Sequence, residues 1–278
     1  MKKTYSILFA IIALIVLSVT SVAFASVKPL SEDELAVGLE CNYAPFNWTQ
    51  LDDSNGAVEI KGGGGFCGGY DVEIAKKIAE GLGRKLVIVK IEWDGLIPAV
   101  NAEKIDAVIA GMSPTEERKI SVDFSDPYYE SDLVIVVKAD SEYAKATSIQ
   151  DFKGAKITAQ LNTFHYTVID QIEGVKKQTA MESFPAMIVA LSSGKIDGYI
   201  SERPGAISAM ASNPEFTFVS FEEGKGFVAS PEDVAVAVAM KKGNPNISAI
   251  NEILGKISKE DRQAIMDNAV KTQPALGE

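Results

Sequence analysis

Two side chains of opposite charge, Arg118 and Glu202, stand at matching places in this chain. A guanidinium can grip a carboxylate through two parallel hydrogen bonds. A carboxylate can hold an ammonium. The places match because a module occurs twice. Residues 97–111 and 188–202 each run from an apolar helical stretch (Ile97, Val100; Ile188, Leu191) through a Lys-Ile-Asp turn (Lys104–Asp106; Lys195–Asp197) into a short apolar strand. The first strand leads to Ser113 and Arg118, and the second ends on Ser201 and Glu202. Ligands of open α/β sheets sit just past the carboxyl ends of strands. A fixed cation in one half facing a fixed anion in the other suits a small zwitterion, such as a free amino acid.

Other residues could serve the same end. Ser113-Pro114-Thr115-Glu116 reads as a capping box with proline at the first helical position. Such a helix start offers free N–H groups and a positive dipole end to an anion, with Arg118 one turn further in. Gln160-Leu161-Asn162-Thr163 follows a predicted strand and precedes a helix carrying Tyr166, Ile169 and Ile172, with Asn162 or Thr163 as its cap. This makes a second potential anion site. Its place at a strand end favours the anion-binding reading of the first segment, whereas capping alone accounts for the second equally well. Glu40, directly after the first strand, is a candidate acid for a cationic side chain. Tyr43, Phe46, Trp48 and Trp93 lie in or beside loops. Tyr43 and Trp93 follow strand ends, where aromatic plates could sandwich a ligand side chain.

Signals for catalysis are poor. His165 is the only histidine and falls at a predicted helix start, where a helix-surface position is expected. No H-E-x-x-H, C-x-x-C, G-x-S-x-G or P-loop occurs, and metal-ligand clustering is absent from the sequence. No cofactor or metal is expected. Gly63, Gly65 and Gly68 fit G-x-G-x-x-G, but Ala57–Ile60 before them alternates polar and apolar like a surface hairpin rather than a buried strand.

The elements that position these residues alternate. Strands are expected at Leu35–Leu39, Leu86–Ile91, Ala107–Ala110, Leu133–Val137, Lys156–Ala159, Tyr199–Ser201 and Val234–Met240. Their near-continuous apolar character fits parallel strands buried on both faces. Val72, Ala75, Ala79 and Leu82 predict a helix over 71–82 that stops at Gly83. Ile247, Ile250, Ile253, Leu254 and Ile257 predict another over 247–257. The alternation implies an α/β fold with mostly parallel sheets, and two modules imply two lobes with a cleft between them.

The chain has 278 residues and is 46% hydrophobic, enough for two lobes of ordinary size. Lys2 and Lys3, the apolar run Ile7–Leu17 and Ala23-Phe24-Ala25 read as a secretory signal peptide over 1–25. An uncleaved anchor is the other reading. Losing Lys2 and Lys3 takes the formal net charge from −11 to −13, which argues against nucleic acid, whose affinity rests on Lys and Arg. Cys41 and Cys67, both in the exported part, are expected to form a disulfide.

Taken together, these residues resemble the solute-binding proteins of polar amino-acid ABC importers (family 3), with the two-lobed, type II periplasmic binding protein fold. The resemblance spans roughly 35–270. It rests on Tyr43-Ala44-Pro45-Phe46, Gly69-Tyr70-Asp71, the run Trp93–Pro98, the turn Lys104–Asp106, Ser113 through Arg118, and Phe124 through Tyr129. It implies that Arg118 clamps the ligand carboxylate, helped by Ser113, by backbone N–H groups at Gly111 and Thr163, and by the Gln160 segment. It implies that Glu202 takes the ammonium, that Tyr43 and Trp93 bracket the side chain, and that Glu40 meets a distal positive charge. Two crossovers near Asp132 and Val234 would join lobe 1 (26–131 and 237–278) to lobe 2 (132–236). The implied ligand is a polar, cationic amino acid, with arginine or lysine ahead of histidine and glutamine. The implied partner is a membrane permease, and the implied state is an extracytoplasmic or periplasmic monomer. The same fold also serves exported cyclohexadienyl dehydratases, an enzymatic alternative, and ligand-sensing modules.

Overall fold

The structure, a computed structural model, describes residues 32–274; the expected signal peptide lies outside the described residues. The first half contains β1 (Glu34–Leu39), a small antiparallel sheet of β2 (Asn42–Tyr43), β3 (Asn47–Gln50), β4 (Val58–Glu59) and β5 (Phe66–Gly68), then α1 (Tyr70–Gly81), β6 (Lys85–Lys90), α2 (Leu96–Asn101), β7 (Ala107–Val108), α3 (Glu116–Lys119) and β8 (Val122–Phe124). β9 (Tyr129–Glu130) leads to the second half, made of β10 (Leu133–Lys138), β11 (Lys156–Thr158), α4 (Phe164–Val168), β12 (Lys176–Lys177), α5 (Phe184–Ser192), β13 (Gly198–Glu202), α6 (Arg203–Ser212) and β14 (Phe216–Val219). β15 (Ala235–Val236) returns the chain to β16 (Ala239–Lys241), α7 (Ile247–Gly255) and α8 (Lys259–Thr272).

Two five-stranded sheets result, ordered β6-β1-β7-β16-β8 and β12-β11-β13-β10-β14. The βαβ alternation gives the parallel pairs β1–β6, β1–β7, β11–β12 and β11–β13. β16 and β10 run antiparallel to their neighbours, so each sheet is mixed. Both of these strands follow a passage between the lobes and enter their sheet from the opposite end. The lobes connect through a two-stranded ladder, β9 against β15, with Glu130 opposite Ala235 and Tyr129 opposite Val236.

The repeated module has a structural counterpart in each lobe. The Asp106 carboxylate accepts from the Ala36 N–H at 2.7 Å, and the Asp197 carboxylate accepts from the Lys156 N–H at 2.8 Å. Each Asp N–H also donates to that residue's own carbonyl, Ala36 O or Lys156 O. The aspartate of Lys-Ile-Asp therefore fastens the start of the neighbouring parallel strand. Packing follows strand periodicity. On β10, Val134 and Val136 join the core that runs across the lobe seam, while Leu133, Ile135 and Val137 join a second core on the other face of the lobe 2 sheet.

Two expectations need correction, and one helix lies outside them. Val234–Met240 is not one strand, because Ala237 N–H donates to Met112 O and Val238 pairs with Ser125, so the chain changes partners from β9 to β8 in mid-run. The helix near Arg118 starts later than the capping box suggests. Met112 O is held by Ala237, the segment through Pro114 stays extended, and Thr115 is the cap, its Oγ1 accepting from Arg118 N. α8 follows the helix expected over 247–257; of its residues Met266 and Ala269 are buried, too few to give a periodic apolar signal, and Ser258 caps it by accepting from Asp261 N. The disulfide Cys41–Cys67 is present, with Cα atoms 5.8 Å apart, and joins the end of β1 to β5.

Candidate functional site

Strand ends from both lobes converge on one seam. A small cavity there, about 20 Å³, is lined by seven of the expected residues: Tyr43, Trp93, Gly111 and Ser113, then Arg118, Gln160 and Thr163. Glu40 and Glu202 lie one layer behind, each tied to a lining residue.

Arg118 is half-buried on α3. Its Nη1 donates to Ser113 O at 3.0 Å and its Nη2 crosses the seam to Asn162 O at 3.1 Å. Its guanidinium stacks on Trp93, 5.0 Å from the ring centroid. Burial pulls its pKa down to about 10, so it stays charged at neutral pH. Trp93 Nε1 donates to the same Asn162 carbonyl at 3.3 Å, and Asn162 Nδ2 donates to Asp94 at 2.9 Å. Asn162 reaches all three partners because it adopts φ 54°, a left-handed turn that Asn tolerates. Sequence analysis names Asn162 only as a possible helix cap. Thr163 occupies that position instead, and its hydroxyl donates to Gln160 O at 2.7 Å.

Glu40 directly follows β1 and is buried, which raises its pKa to about 7; Gln160 Nε2 donates to both carboxylate oxygens, at 3.2 and 3.3 Å. Glu202, buried at the end of β13, accepts from the Tyr43 hydroxyl at 3.3 Å across the seam. Burial, then the Glu202 charge, pushes the Tyr43 pKa well above its usual value, so the phenol remains a donor. The Tyr43 ring lies flat on Phe184, with centroids 4.1 Å apart, and on Phe46 at 5.0 Å. Trp48 faces elsewhere, its Nε1 donating to Gln50 within the small sheet.

Gly111 needs its lack of a side chain. Its φ is 62°, and a Cβ there would meet the Tyr43 ring at 2.9 Å. Its N–H, expected to face a ligand carboxylate, donates instead to the Tyr128 hydroxyl at 3.3 Å. Tyr128 in turn donates to buried Asp71 at 2.7 Å, and Asn47 Nδ2 donates to the other Asp71 oxygen at 2.8 Å. Gly111 thus gives the cleft room, while the network behind it fixes the turn.

Three lining residues, Phe164, His165 and Phe184, are not among the expected ones. Phe184 stands eleven residues before Lys195, as Trp93 stands eleven before Lys104, so the repeat itself carried the signal. His165, expected on the helix surface, is buried, with Nε2 3.5 Å from Glu202 Oε1. The stripe His165, Val168, Ile169 and Ile172 has helical spacing and faces inward; the stripe first read, through Tyr166, shares only two of those residues.

A larger cavity of about 270 Å³ lies between β2–β3 and α5–α6. Its lining includes one charged side chain, Lys90, and neither Arg118 nor Glu202. Among the described residues no group of His, Cys, Asp and Glu could hold a metal ion, and no helix is long and apolar enough to cross a membrane.

Two α/β lobes on a two-stranded connection, with opposite charges set around the seam, define a two-lobed binding protein. The chain belongs to the bacterial extracellular solute-binding proteins, family 3, whose pattern matches residues 35–269. It is 34% identical over 197 residues to a probable histidine-binding protein of Campylobacter jejuni, covering 69% of this chain and 70% of the relative. It is 29% identical over 257 residues to the L-cystine-binding protein TcyJ of Escherichia coli, covering 88% and 89%. Its structure is similar to an amino acid ABC transporter substrate-binding protein from Streptococcus pneumoniae bound to L-arginine. That match has a TM-score of 0.75 and 26% identity, and covers 86% of this chain and 95% of the other.

Proposed function

We propose that this protein captures a free polar amino acid outside the cytoplasm and delivers it to the membrane permease of an ABC importer. The observation that carries the reading is Arg118 lining one interlobe cavity and buried Glu202 one layer behind it, bonded to the lining residue Tyr43. Charges withdrawn from water are tolerable only when paired, and a zwitterion pairs both. Arg118 grips the α-carboxylate with Ser113 and Thr163 beside it. Glu202 takes the α-ammonium. Tyr43, Trp93 and Gln160 shape the side-chain pocket, and Glu40 at its end favours a cationic ligand, arginine or lysine ahead of histidine and glutamine. Relatives named for histidine and cystine, and a neighbour holding L-arginine, support an amino acid.

A space of about 20 Å³ admits about one water. The ligand therefore enters after the lobes part, lobe 1 (26–131 and 237–278) turning against lobe 2 (132–236), and displaces the Trp93, Arg118 and Asn162 contacts. The protein acts as a monomer after its signal peptide is removed. The family and its named relatives are binding proteins, which does not favour the dehydratase alternative.

The test is a thermal-shift screen of refolded protein against the common amino acids and prephenate. Ligand at a thousand times its Kd adds about 4 kcal/mol, roughly ten degrees for a chain of this size. Arginine and lysine are expected to give the largest shifts, and Glu40→Gln to move the ranking toward neutral ligands. A shift with prephenate and with no amino acid would overturn the reading.

A further inference from the structure

The sole histidine of the chain has no part in the clamp just described, yet its surroundings are unusual for a packing residue. His165 is 8% exposed and lines the seam cavity. Its Nε2 stands 3.5 Å from Glu202 Oε1, and its Nδ1 is buried with no hydrogen-bond partner among the described residues. A buried imidazole nitrogen without a partner is unfavourable, because it has left water without a replacement hydrogen bond. Val168 on the same helix face buries itself without such a cost, so packing alone does not call for a histidine here.

We propose that His165 is a proton-sensitive competitor for the ammonium subsite, so that amino-acid capture by this protein releases a proton. This rests on the amino-acid reading above. Neutral His165 leaves the Glu202 carboxylate free for the ligand ammonium. Protonated His165 pairs with Glu202 and puts a second positive charge where the ammonium must go. Binding and protonation at this site therefore oppose each other, and by linkage each weakens the other by the same factor. The ligand's own ammonium and carboxylate keep their charges through the neutral range, so a proton released there comes from the protein.

The charged and titratable groups around His165 allow this arrangement. Glu202 faces it from β13, Tyr43 reaches Glu202 from lobe 1, Arg118 lines the same cavity, and Glu40 is tied to that lining through Gln160. Asp170, just beyond α4, is paired with Lys177. Tyr43 stays protonated, because burial pushes it above the usual phenol range. Arg118 is cationic at every pH of interest. Burial raises the Glu40 pKa to about 7, so the pH dependence of affinity alone does not isolate His165.

A single histidine gives a single imidazole signal, which isolates it directly. The full-length mature protein, purified without a histidine tag, is titrated from pH 5 to 8.5 by NMR of the imidazole C–H, first alone and then saturated with L-arginine. If arginine does not bind, L-lysine, L-glutamine or L-cystine takes its place, whichever raises Tm. The expected result is a midpoint lowered by at least one pH unit on saturation. The matching thermodynamic result is an affinity about fivefold weaker at pH 5.5 than at 7.5, a factor that is lost in His165→Gln and kept in Glu40→Gln. An amino acid that binds tightly while the imidazole midpoint stays within 0.2 units would overturn the inference and leave the binding reading intact. If no amino acid raises Tm or moves the signal at any pH, the binding reading falls and the inference falls with it.

Discussion

Replacing Arg118 by alanine tests the clamp most directly, and the structure sets the size of the effect. In the closed seam the guanidinium already makes two bonds, to Ser113 O and Asn162 O, at 3.0 and 3.1 Å. A ligand carboxylate must displace at least the Asn162 carbonyl, so only the difference between a neutral and a charged acceptor counts toward affinity. Bonds to charged groups contribute about 1.5–3 kcal/mol against about 0.5–1.5 for neutral ones, a gain of roughly 1–1.5 per bond and 2–3 for a fork of two. Alanine also leaves the ligand carboxylate in a half-buried site without a counter-charge, which adds on the order of 1 kcal/mol. The sum, about 3–4 kcal/mol, is a loss of 10²–10³-fold in affinity. Titration calorimetry with the amino acid that gives the largest thermal shift measures it. Arg118→Lys keeps the charge without the fork and should recover about tenfold. Folding stability of Arg118→Ala should fall by less than 1 kcal/mol, because water can replace it at both carbonyls. A loss under threefold for every amino acid that binds would remove Arg118 from the site and, with it, the argument from opposed charges.

Gly111→Ala should destabilise the fold by about 2–4 kcal/mol in urea unfolding, since it adds left-handed strain to a 2.9 Å clash with a Tyr43 ring pinned by Phe46, Phe184 and Glu202; a loss below 0.5 would show that the turn relaxes. Cys67→Ser opens a loop whose ends are 26 residues apart and should lower stability by about 3.5 kcal/mol by chain entropy, with an unchanged urea midpoint counting against that account. Asp71 is fully buried and its pKa is raised from 3.8 to about 7 by burial. The native state therefore binds its proton more tightly than the unfolded chain does, and stability falls as pH rises from about 4 to about 7. Between pH 5.5 and 8 the Asp71 share is on the order of 2 kcal/mol. Asp71→Asn should flatten that part of the profile, and a wild-type protein that gains stability over this range would contradict the sign.

Much of this protein was legible before any coordinates. The doubled module, with its Lys-Ile-Asp turns, announced two similar lobes, because a parallel strand needs a fixed start and a short aspartate supplies it in both copies. Arg118, Glu202, Glu40 and Tyr43 could be singled out because strand ends are where side chains project into a cleft. The aromatic at 184 was equally available from the repeat spacing. What only the tertiary structure decided depends on contacts between segments far apart in the chain. The direction of β10 and β16 followed from how the crossovers enter each sheet. The Gly111 N–H turned inward because Tyr128 and Asp71 lie behind it. Asn162 became the meeting point of Arg118, Trp93 and Asp94 only once the lobes met. His165 showed its place only when its helix was laid on β13, because a short helix with apolar residues on more than one side leaves its inward face to be chosen by what it packs against.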